Sequence, residues 1–232
     1  RDPEKGRIMG KTISLTTSDG HTLDAYKASP SGTVKGALVV VQEIFGINGQ
    51  IRRTVDYFAE QGYETIAPAL FDRVEKGIEL GYNETDFGIG RETRGKITDA
   101  WITADIGAAV KEVASAGKVS VIGFCFGGYA TYIAACTVDG VSAAMPFYGG
   151  GIAAKVGDMK PNCPVQFHFG DKDAAIPLDD LQTIKDSLQD SPLYVYDDSG
   201  HGFTCDDRDS YNEGAAKRAF TRALSWMDEH AT

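Results

Sequence analysis

A cysteine stands inside a glycine-rich segment, Gly123-Phe124-Cys125-Phe126-Gly127-Gly128. The apolar run at 118–122 predicts a buried strand, and residues 126–137 have the pattern of a helix. A nucleophile held on a sharp strand-to-helix turn needs neighbours without side chains, and glycine two residues away on each side is the spacing of such an elbow. The amides that open the helix favour a thiolate. A lone cysteine is more often a buried core residue, but this spacing and context favour a nucleophile.

Acidic and basic side chains follow two later predicted strands. Asp171 and Asp173 come after the strand at 164–169, where they could also form a turn or cap a helix. His201 lies between two glycines after the strand at 193–197. The order nucleophile, acid, base is that of α/β-hydrolases. The pattern therefore predicts a hydrolase in which Cys125 is the nucleophile, His201 is the base and one of the two aspartates is the acid.

The segment Glu43-Ile44-Phe45-Gly46 follows the strand predicted over GALVVVQ (36–42). In this fold, the loop after that strand supplies an oxyanion-hole amide, and the residue after the nucleophile supplies the other. We assign these amides to Ile44 and Phe126. Glu43 is then a carboxylate beside the nucleophile, although this fragment alone fits an exposed loop glutamate equally well.

Strands and helices alternate along most of the chain, after an opening hairpin of KTISLTT and HTLDAYKA. This alternation predicts an α/β fold, a mostly parallel central sheet flanked by helices on both faces, in one domain over 1–232. Ligands of such sheets bind beyond the carboxyl ends of the strands, where the residues above lie. The charged, glycine-punctuated segment 72–96 is predicted to be a long excursion with little regular structure. Further strands are predicted at 63–70 and 141–148, and further helices at 49–61, 99–117, 178–189 and 210–230.

Composition excludes several other classes of function. The formal net charge of −10 disfavours nucleic acid or an anionic membrane as a partner. No apolar run reaches the roughly 18 residues of a membrane span, and the first residues lack a signal peptide's apolar region. The four cysteines form no CxxC pair, which is typical of reduced thiols in a cytoplasmic protein, and the four histidines do not cluster with them as metal ligands would.

The segments QEIFG (42–46), GFCFGG (123–128) and GHGF (200–203), together with Asp173, resemble the dienelactone hydrolase family (carboxymethylenebutenolidases). The resemblance covers nearly the whole chain, and its cysteine elbow is unusual among α/β-hydrolases, most of which use serine. It implies a monomeric α/β-hydrolase without cofactor or metal, acting on a small-molecule ester or lactone. It also implies that Cys125 attacks the carbonyl, that His201 is base and then acid, and that Asp173 rather than Asp171 orients His201.

The resemblance gives a role to Glu43 as well. In the family, the carboxylate at the position of Glu43 contacts the resting thiol, and substrate binding shifts the cysteine toward the histidine. A free thiol has a pKa near 8.5 and is mostly protonated at neutral pH, so a local base fits the chemistry.

The family's typical substrate is an anionic dienelactone from chloroaromatic degradation, whose carboxylate is held by arginines. One arginine closely follows the catalytic histidine in the family, but Cys205 stands at that position here. Arg208 lies further on among three acids, where a solvated salt bridge is the alternative role. Arg91 and Arg94, in the excursion, are candidates for the second arginine. Three aromatic residues could line the pocket or belong to the core: Phe45, Tyr148 and Phe203.

Three alternatives remain open. The protein could be a promiscuous carboxylesterase acting on small neutral esters. It could be a catalytically silent α/β-hydrolase scaffold that binds a ligand or partner, although a silent copy would be expected to have lost one of Cys125, Asp173 and His201. A redox-sensing thiol is a third alternative, but no resolving cysteine is close to Cys125 in sequence.

Overall fold

A sheet of eight strands forms the centre of the protein, in the order β1-β2-β4-β3-β5-β6-β7-β8. The computed structural model describes residues 10–230. The strands are β1 (Lys11–Thr16), β2 (Thr22–Ala28), β3 (Gly36–Val41), β4 (Tyr63–Pro68), β5 (Val119–Phe124), β6 (Val141–Phe147), β7 (Phe167–Gly170) and β8 (Leu193–Tyr196). The helices are α1 (Gly49–Glu60), α2 (Glu84–Lys96), α3 (Asp99–Val113), α4 (Phe126–Thr137), α5 (Leu178–Ser187) and α6 (Glu213–His230).

The sheet is antiparallel only at one edge. β1 and β2 form the predicted hairpin, and β2 pairs antiparallel with β4. All the remaining neighbours, from β4 through β3 and β5 to β8, are parallel. The prediction of a mostly parallel sheet is therefore confirmed. The carboxyl ends of β3, β5, β7 and β8 lie along one side of the sheet, which is where the candidate catalytic residues follow.

Helices cover both faces of the sheet. All six residues of β3 are buried, and so are all six of β5, which explains why these strands are continuous apolar runs. α1 and α6 pack together through Phe58 and Phe220, whose ring centroids are 5.7 Å apart. α3 packs on α4. None of the helices within residues 10–230 combines the length and apolarity that a membrane crossing requires.

The prediction for segment 72–96 was wrong, because its second half is the helix α2. The side chain of Asn83 caps the helix by accepting a hydrogen bond from the amide of Asp86 at 2.9 Å. The carboxylate of Asp86 in turn accepts one from the amide of Gly81 at 2.7 Å. Phe87 packs its ring edge-to-face on Phe45, with centroids 4.9 Å apart. Capping and this long-range contact stabilise a helix that its composition disfavours.

Element boundaries differ from the predictions where side chains compete for the backbone. The last helix begins at Glu213 rather than at residue 210, because Asn212 accepts a hydrogen bond from the amide of Ala215 at 3.1 Å and caps it. The strand predicted over 164–169 is shorter, since Val165 makes only an isolated bridge to Ala144 before β7 starts.

A histidine that plays no part in the predicted chemistry is fully buried in β7. His168 Nε2 lies 2.9 Å from Gln166 Oε1, and Nδ1 lies 2.9 Å from the hydroxyl of Tyr196. The ring stacks on Phe147 at 4.1 Å. Burial, reinforced by the charge of Arg222, lowers the pKa of His168 to about 3, so the folded protein holds this imidazole neutral.

We expect this histidine to make the protein less stable as pH falls. Between pH 6.5 and about 3, His168 binds a proton in the unfolded chain but not in the folded one. The free energy of unfolding therefore falls by up to about 1.4 kcal/mol per pH unit from this group alone. Urea denaturation at several pH values should give a shallower dependence for His168→Gln than for the wild type. Equal slopes for the two proteins would contradict this assignment.

Candidate active site

Cys125 occupies a strained turn between β5 and α4. Its φ is 57° and its ψ is −117°, a conformation that a residue other than glycine rarely adopts. Its amide donates to the carbonyl of Phe147 at 3.0 Å, and its carbonyl accepts from the amide of Gly128 at 2.9 Å. A Cβ on Gly127 would lie 2.2 Å from the carbonyl oxygen of Val41 in β3, so only glycine permits this approach. The local sequence thus forces a turn that presents a half-buried thiol.

Asp173 and His201 meet beyond the ends of β7 and β8. His201 Nδ1 lies 2.7 Å from Asp173 Oδ2, and the Asp173 side chain is only 1% exposed. Asp173 Oδ1 accepts from the amide of Ala175 at 2.9 Å, which fixes the carboxylate. Asp171 instead accepts from the amide of Ser199 at 3.2 Å and braces the loop that carries the histidine. The geometry therefore makes Asp173 the partner of His201.

Asp173 and Cys125 both affect the protonation of His201. Burial acts to lower the pKa of His201, but the hydrogen bond to Asp173 and the interaction with Cys125 raise it to about 10. A hydrogen bond to a buried carboxylate favours the imidazolium. The ring of Tyr148 stands edge-on to His201, with centroids 5.2 Å apart, and restricts how the imidazole can turn.

The two predicted oxyanion donors follow adjacent strands of the sheet. β3 and β5 pair in register, with Val41 opposite Gly123. Ile44 follows the end of β3, and Phe126 is the first residue of α4. An amide in the first turn of a helix has no partner inside the helix, which leaves that of Phe126 free for a ligand. The register thus brings both backbone segments to the side of the sheet where Cys125 lies.

Glu43 is buried between charged groups. Its Oε1 lies 3.2 Å from Arg208 Nη1, and Oε2 has no hydrogen-bond partner within residues 10–230. Burial raises the pKa of Glu43, whereas the positive charges of Arg208 and His201 act to lower it. The resemblance implies a contact between Glu43 and the Cys125 thiol, but the hydrogen bond that the structure gives Glu43 goes to Arg208.

The alternative prediction, in which Arg208 forms a solvated salt bridge, is wrong. Its side chain is 13% exposed and pairs with Glu43. Asp206 and Asp207, its neighbours in sequence, instead pair with Arg53 at 2.9 and 2.7 Å. The guanidinium carbon of Arg208 lies within about 6 Å of three ring centroids, which belong to Phe45, Tyr82 and Phe87.

The two arginines predicted from segment 72–96 have different environments. The guanidinium carbon of Arg94 lies 4.4 Å from the ring centroid of Phe126, the residue after the nucleophile, and 5.1 Å from that of Tyr129. Burial lowers the pKa of Arg94, and the nearby carboxylate of Asp99 opposes this effect. Arg91 is exposed. Arg94 is therefore the better placed of the two.

The candidate pocket aromatics separate into two groups. Phe45 contacts Tyr82 with ring centroids 4.7 Å apart, beside Arg208. Tyr148 contacts His201, whereas Phe203 is fully buried beneath it, 5.4 Å from the Tyr148 ring. Sequence reasoning missed Tyr82 and Phe87, because both lie in the segment that was predicted to be irregular.

Metal binding finds no support in the described residues. Nowhere within 10–230 do three histidine, cysteine, aspartate or glutamate side chains gather in the way a metal ion requires. The nearby Cys205 is fully buried, and its sulfur lies 3.4 Å from the hydroxyl of Tyr82. The arrangement suits nucleophilic acyl transfer by Cys125, with His201 moving the proton.

Comparison with known proteins places the chain in a family of hydrolases. Residues 23–231 match the model of the dienelactone hydrolase family. A carboxymethylenebutenolidase from Pseudomonas putida is 30% identical, covering 95% of this chain and 97% of its own. A Synechocystis protein provisionally named carboxymethylenebutenolidase is 33% identical, over 80% of this chain and 82% of its own. A Klebsiella pneumoniae crystal structure, provisionally named a dienelactone hydrolase, superposes with a TM-score of 0.79 at 32% identity, over 93% of this chain and 98% of its own. The chain belongs to the dienelactone hydrolase family.

The pKa of His201 should depend on Cys125. Cys125→Ala removes one of the two groups that raise the pKa of His201 and leaves only Asp173 to oppose the effect of burial. We therefore expect this pKa to fall below its value of about 10. Asp173→Asn should lower it as well, for the same reason. The measurement is the NMR titration of the His201 ring. Cys205→Ala, which removes a buried thiol that does not face His201, is the control and should leave the titration unchanged. An unaltered pKa in Cys125→Ala would show that the two groups are not coupled.

Proposed function

We propose that this hydrolase of the dienelactone hydrolase family cleaves a small, carboxylate-bearing ester or lactone through a thioester on Cys125. The observation that carries the proposal is the hydrogen-bonded pair of Asp173 and His201, together with the strained elbow at Cys125, which also raises the pKa of His201. The order of these residues in the sequence also fits an α/β-hydrolase. The family membership supports the hydrolase, and the charged groups around the thiol support the anionic substrate.

Acylation follows from the positions of the proton carriers. His201 takes the thiol proton, and the sulfur of Cys125 attacks the carbonyl carbon, whose double-bond electrons move to oxygen. The amides of Ile44 and Phe126 stabilise the oxyanion. When the carbonyl re-forms, the bond to the leaving oxygen breaks, and His201 gives its proton to that oxygen. In a lactone, the leaving alcohol stays attached to the acyl group.

Deacylation repeats these steps with water. His201 accepts a proton from the water molecule that attacks the thioester carbonyl, and the Cys125 sulfur leaves with the proton that His201 returns. Asp173 holds the imidazole so that its other nitrogen serves both steps. The hydrogen bond at Nδ1 also stabilises the imidazolium that forms.

Glu43 is proposed to act on the resting thiol. Its Oε2 is buried and free of a hydrogen-bond partner within 10–230, so it can accept one from a nearby proton donor. A carboxylate whose pKa is raised by burial is a stronger base than an exposed one. Glu43 can therefore hold the resting thiol through a hydrogen bond, until substrate binding shifts Cys125 toward His201, which takes the proton.

The carboxylate of the substrate is proposed to bind at Arg94 rather than at Arg208. Each arginine is close enough for the charge of Cys125 to act on it. Guanidinium groups match carboxylates in charge and geometry. Arg208 already neutralises Glu43, whereas Arg94 lies over aromatic rings and keeps its charge for a ligand.

Activity should disappear with the nucleophile. We expect Cys125→Ala to lower the initial rate of cis-dienelactone loss by at least about 10³-fold, since the thioester cannot form. 4-Nitrophenyl acetate is the parallel substrate, and Cys205→Ala is the matched control that removes a buried thiol. Cys125-dependent hydrolysis of the acetate without dienelactone turnover would select the neutral-ester carboxylesterase. No activity on either ester would favour a silent binding scaffold, and activity that survives in Cys125→Ala would mean that another residue attacks.

Arg94 should matter only for anionic esters. Arg94→Met removes a charged hydrogen bond to the substrate carboxylate, so we expect KM for mono-4-nitrophenyl succinate to rise roughly tenfold or more. KM for 4-nitrophenyl butyrate, a neutral ester of similar shape, should stay the same. Arg91→Met, one turn away on the same helix, is the matched control. If Arg91→Met alone raises KM for the succinate ester, the anchor is Arg91.

A further inference from the structure

Arg94 can bind a substrate carboxylate only while no carboxylate of the protein neutralises it. Its Nη1 donates one hydrogen bond to the carbonyl of Ile97 at 3.1 Å, and its flat face rests on Phe126 and Tyr129. Within residues 10–230, none of the ion pairs closer than 4.0 Å includes Arg94. The remaining N–H groups of the Arg94 guanidinium are thus available to a ligand.

Asp99, at the start of α3, is the acid whose charge acts on Arg94. Both of its carboxylate oxygens are engaged elsewhere. Oδ1 accepts a hydrogen bond from the hydroxyl of Tyr129 at 2.8 Å, and Oδ2 accepts one from Lys155 Nζ at 2.7 Å. Tyr129 is also the residue whose ring lies under Arg94, so acid and guanidinium share one neighbour without pairing.

Lys155 reaches Asp99 from the loop that follows β6. Its amide donates to the carbonyl of Ile152 at 2.8 Å, which holds that turn of the loop. The side chains of Lys155 and Asp99 are 34% and 37% exposed, so water screens their attraction. Such a pair contributes little to stability. We therefore expect the Lys155–Asp99 ion pair to have a role other than stabilising the fold.

We propose that Lys155 is a positioning residue for substrate specificity: by holding the carboxylate of Asp99, it keeps Arg94 free to bind the carboxylate of the substrate. The inference rests on the proposed function, in which Arg94 is the anchor for that carboxylate.

Competition between carboxylates is the physical basis. Without the Lys155 ammonium, Asp99 keeps a full charge and loses the cation at Oδ2. The other cation that acts on it is Arg94. A guanidinium donates to two carboxylate oxygens side by side, so Asp99 and a substrate carboxylate would compete for the same donors. The loss of Lys155 then weakens the binding of anionic substrates and leaves the chemistry at Cys125 intact.

The test compares two esters and three variants of this pair. In Lys155→Met, we expect KM for mono-4-nitrophenyl succinate to rise roughly two- to fivefold, the range of a half-exposed ion pair. The kcat for that ester, and both constants for 4-nitrophenyl butyrate, should not change. Lys155→Arg keeps the cation and should behave as wild type. Adding Asp99→Asn to Lys155→Met removes the competitor and should return KM toward the wild-type value.

Lys96→Met is the matched control, because Lys96 lies on the same helix as Arg94 and pairs with the exposed Glu92. It removes the same charge without releasing Asp99. Equal rises in KM for Lys96→Met and Lys155→Met would overturn the proposal, since the effect would then be long-range charge. A loss of kcat on both esters in Lys155→Met would also overturn it, by showing a structural role.

The result for Arg94→Met distinguishes an error about the anchor from an error about the role of Lys155. If Arg94→Met leaves KM for the succinate ester unchanged, the anchor in the proposed function is wrong and the role of Lys155 falls with it. If Arg94→Met raises that KM but Lys155→Met does not, only the positioning role of Lys155 is wrong.

Discussion

The approach of the first turn of α4 to the end of β3 is the constraint on which the site depends. The backbone at Gly127 comes so close to the carbonyl of Val41 that no other residue fits. Cys125 is left in a conformation that costs on the order of 1–3 kcal/mol. The fully buried strands β3 and β5, paired in register, supply the rigid frame that holds it. The predicted oxyanion amides take their positions from this same contact.

A second constraint comes from the charges buried around the thiol. A carboxylate as deeply buried as Glu43 is stable only with a cation nearby, and Arg208 provides it. This contact joins the loop after β3 to the segment after β8. Gly202 makes room for it, because its φ is 78° and a Cβ there would lie 2.3 Å from Arg208 Nη1. The glycine that follows His201 therefore permits the ion pair between Arg208 and Glu43 as well as the turn.

The sequence was most informative where function and secondary structure coincide. Cys125, Asp173 and His201 each follow a strand, so a parallel sheet was enough to predict that they approach one another. α2 was missed because its stability comes from the cap at Asn83 and from the contact between Phe87 and Phe45, which no local pattern shows. The direction of Arg208 could not be predicted either. Its neighbours in sequence are acids, and only the tertiary structure shows that Asp206 and Asp207 form ion pairs with Arg53 instead.

The net charge of −10 is a poor guide to what this site can bind. A site attracts anions when its cations remain unpaired, whatever the sum over the chain. Around Cys125 the acids are engaged by bases: Asp99 by Lys155, and Glu43 by Arg208. The two arginines beside the thiol are consequently not equivalent. In the proposed function, a substrate carboxylate binds Arg94 without displacing an acidic partner, but it can bind Arg208 only in competition with Glu43. Because a displaced Glu43 would be a buried and unpaired carboxylate, its affinity for protons would rise.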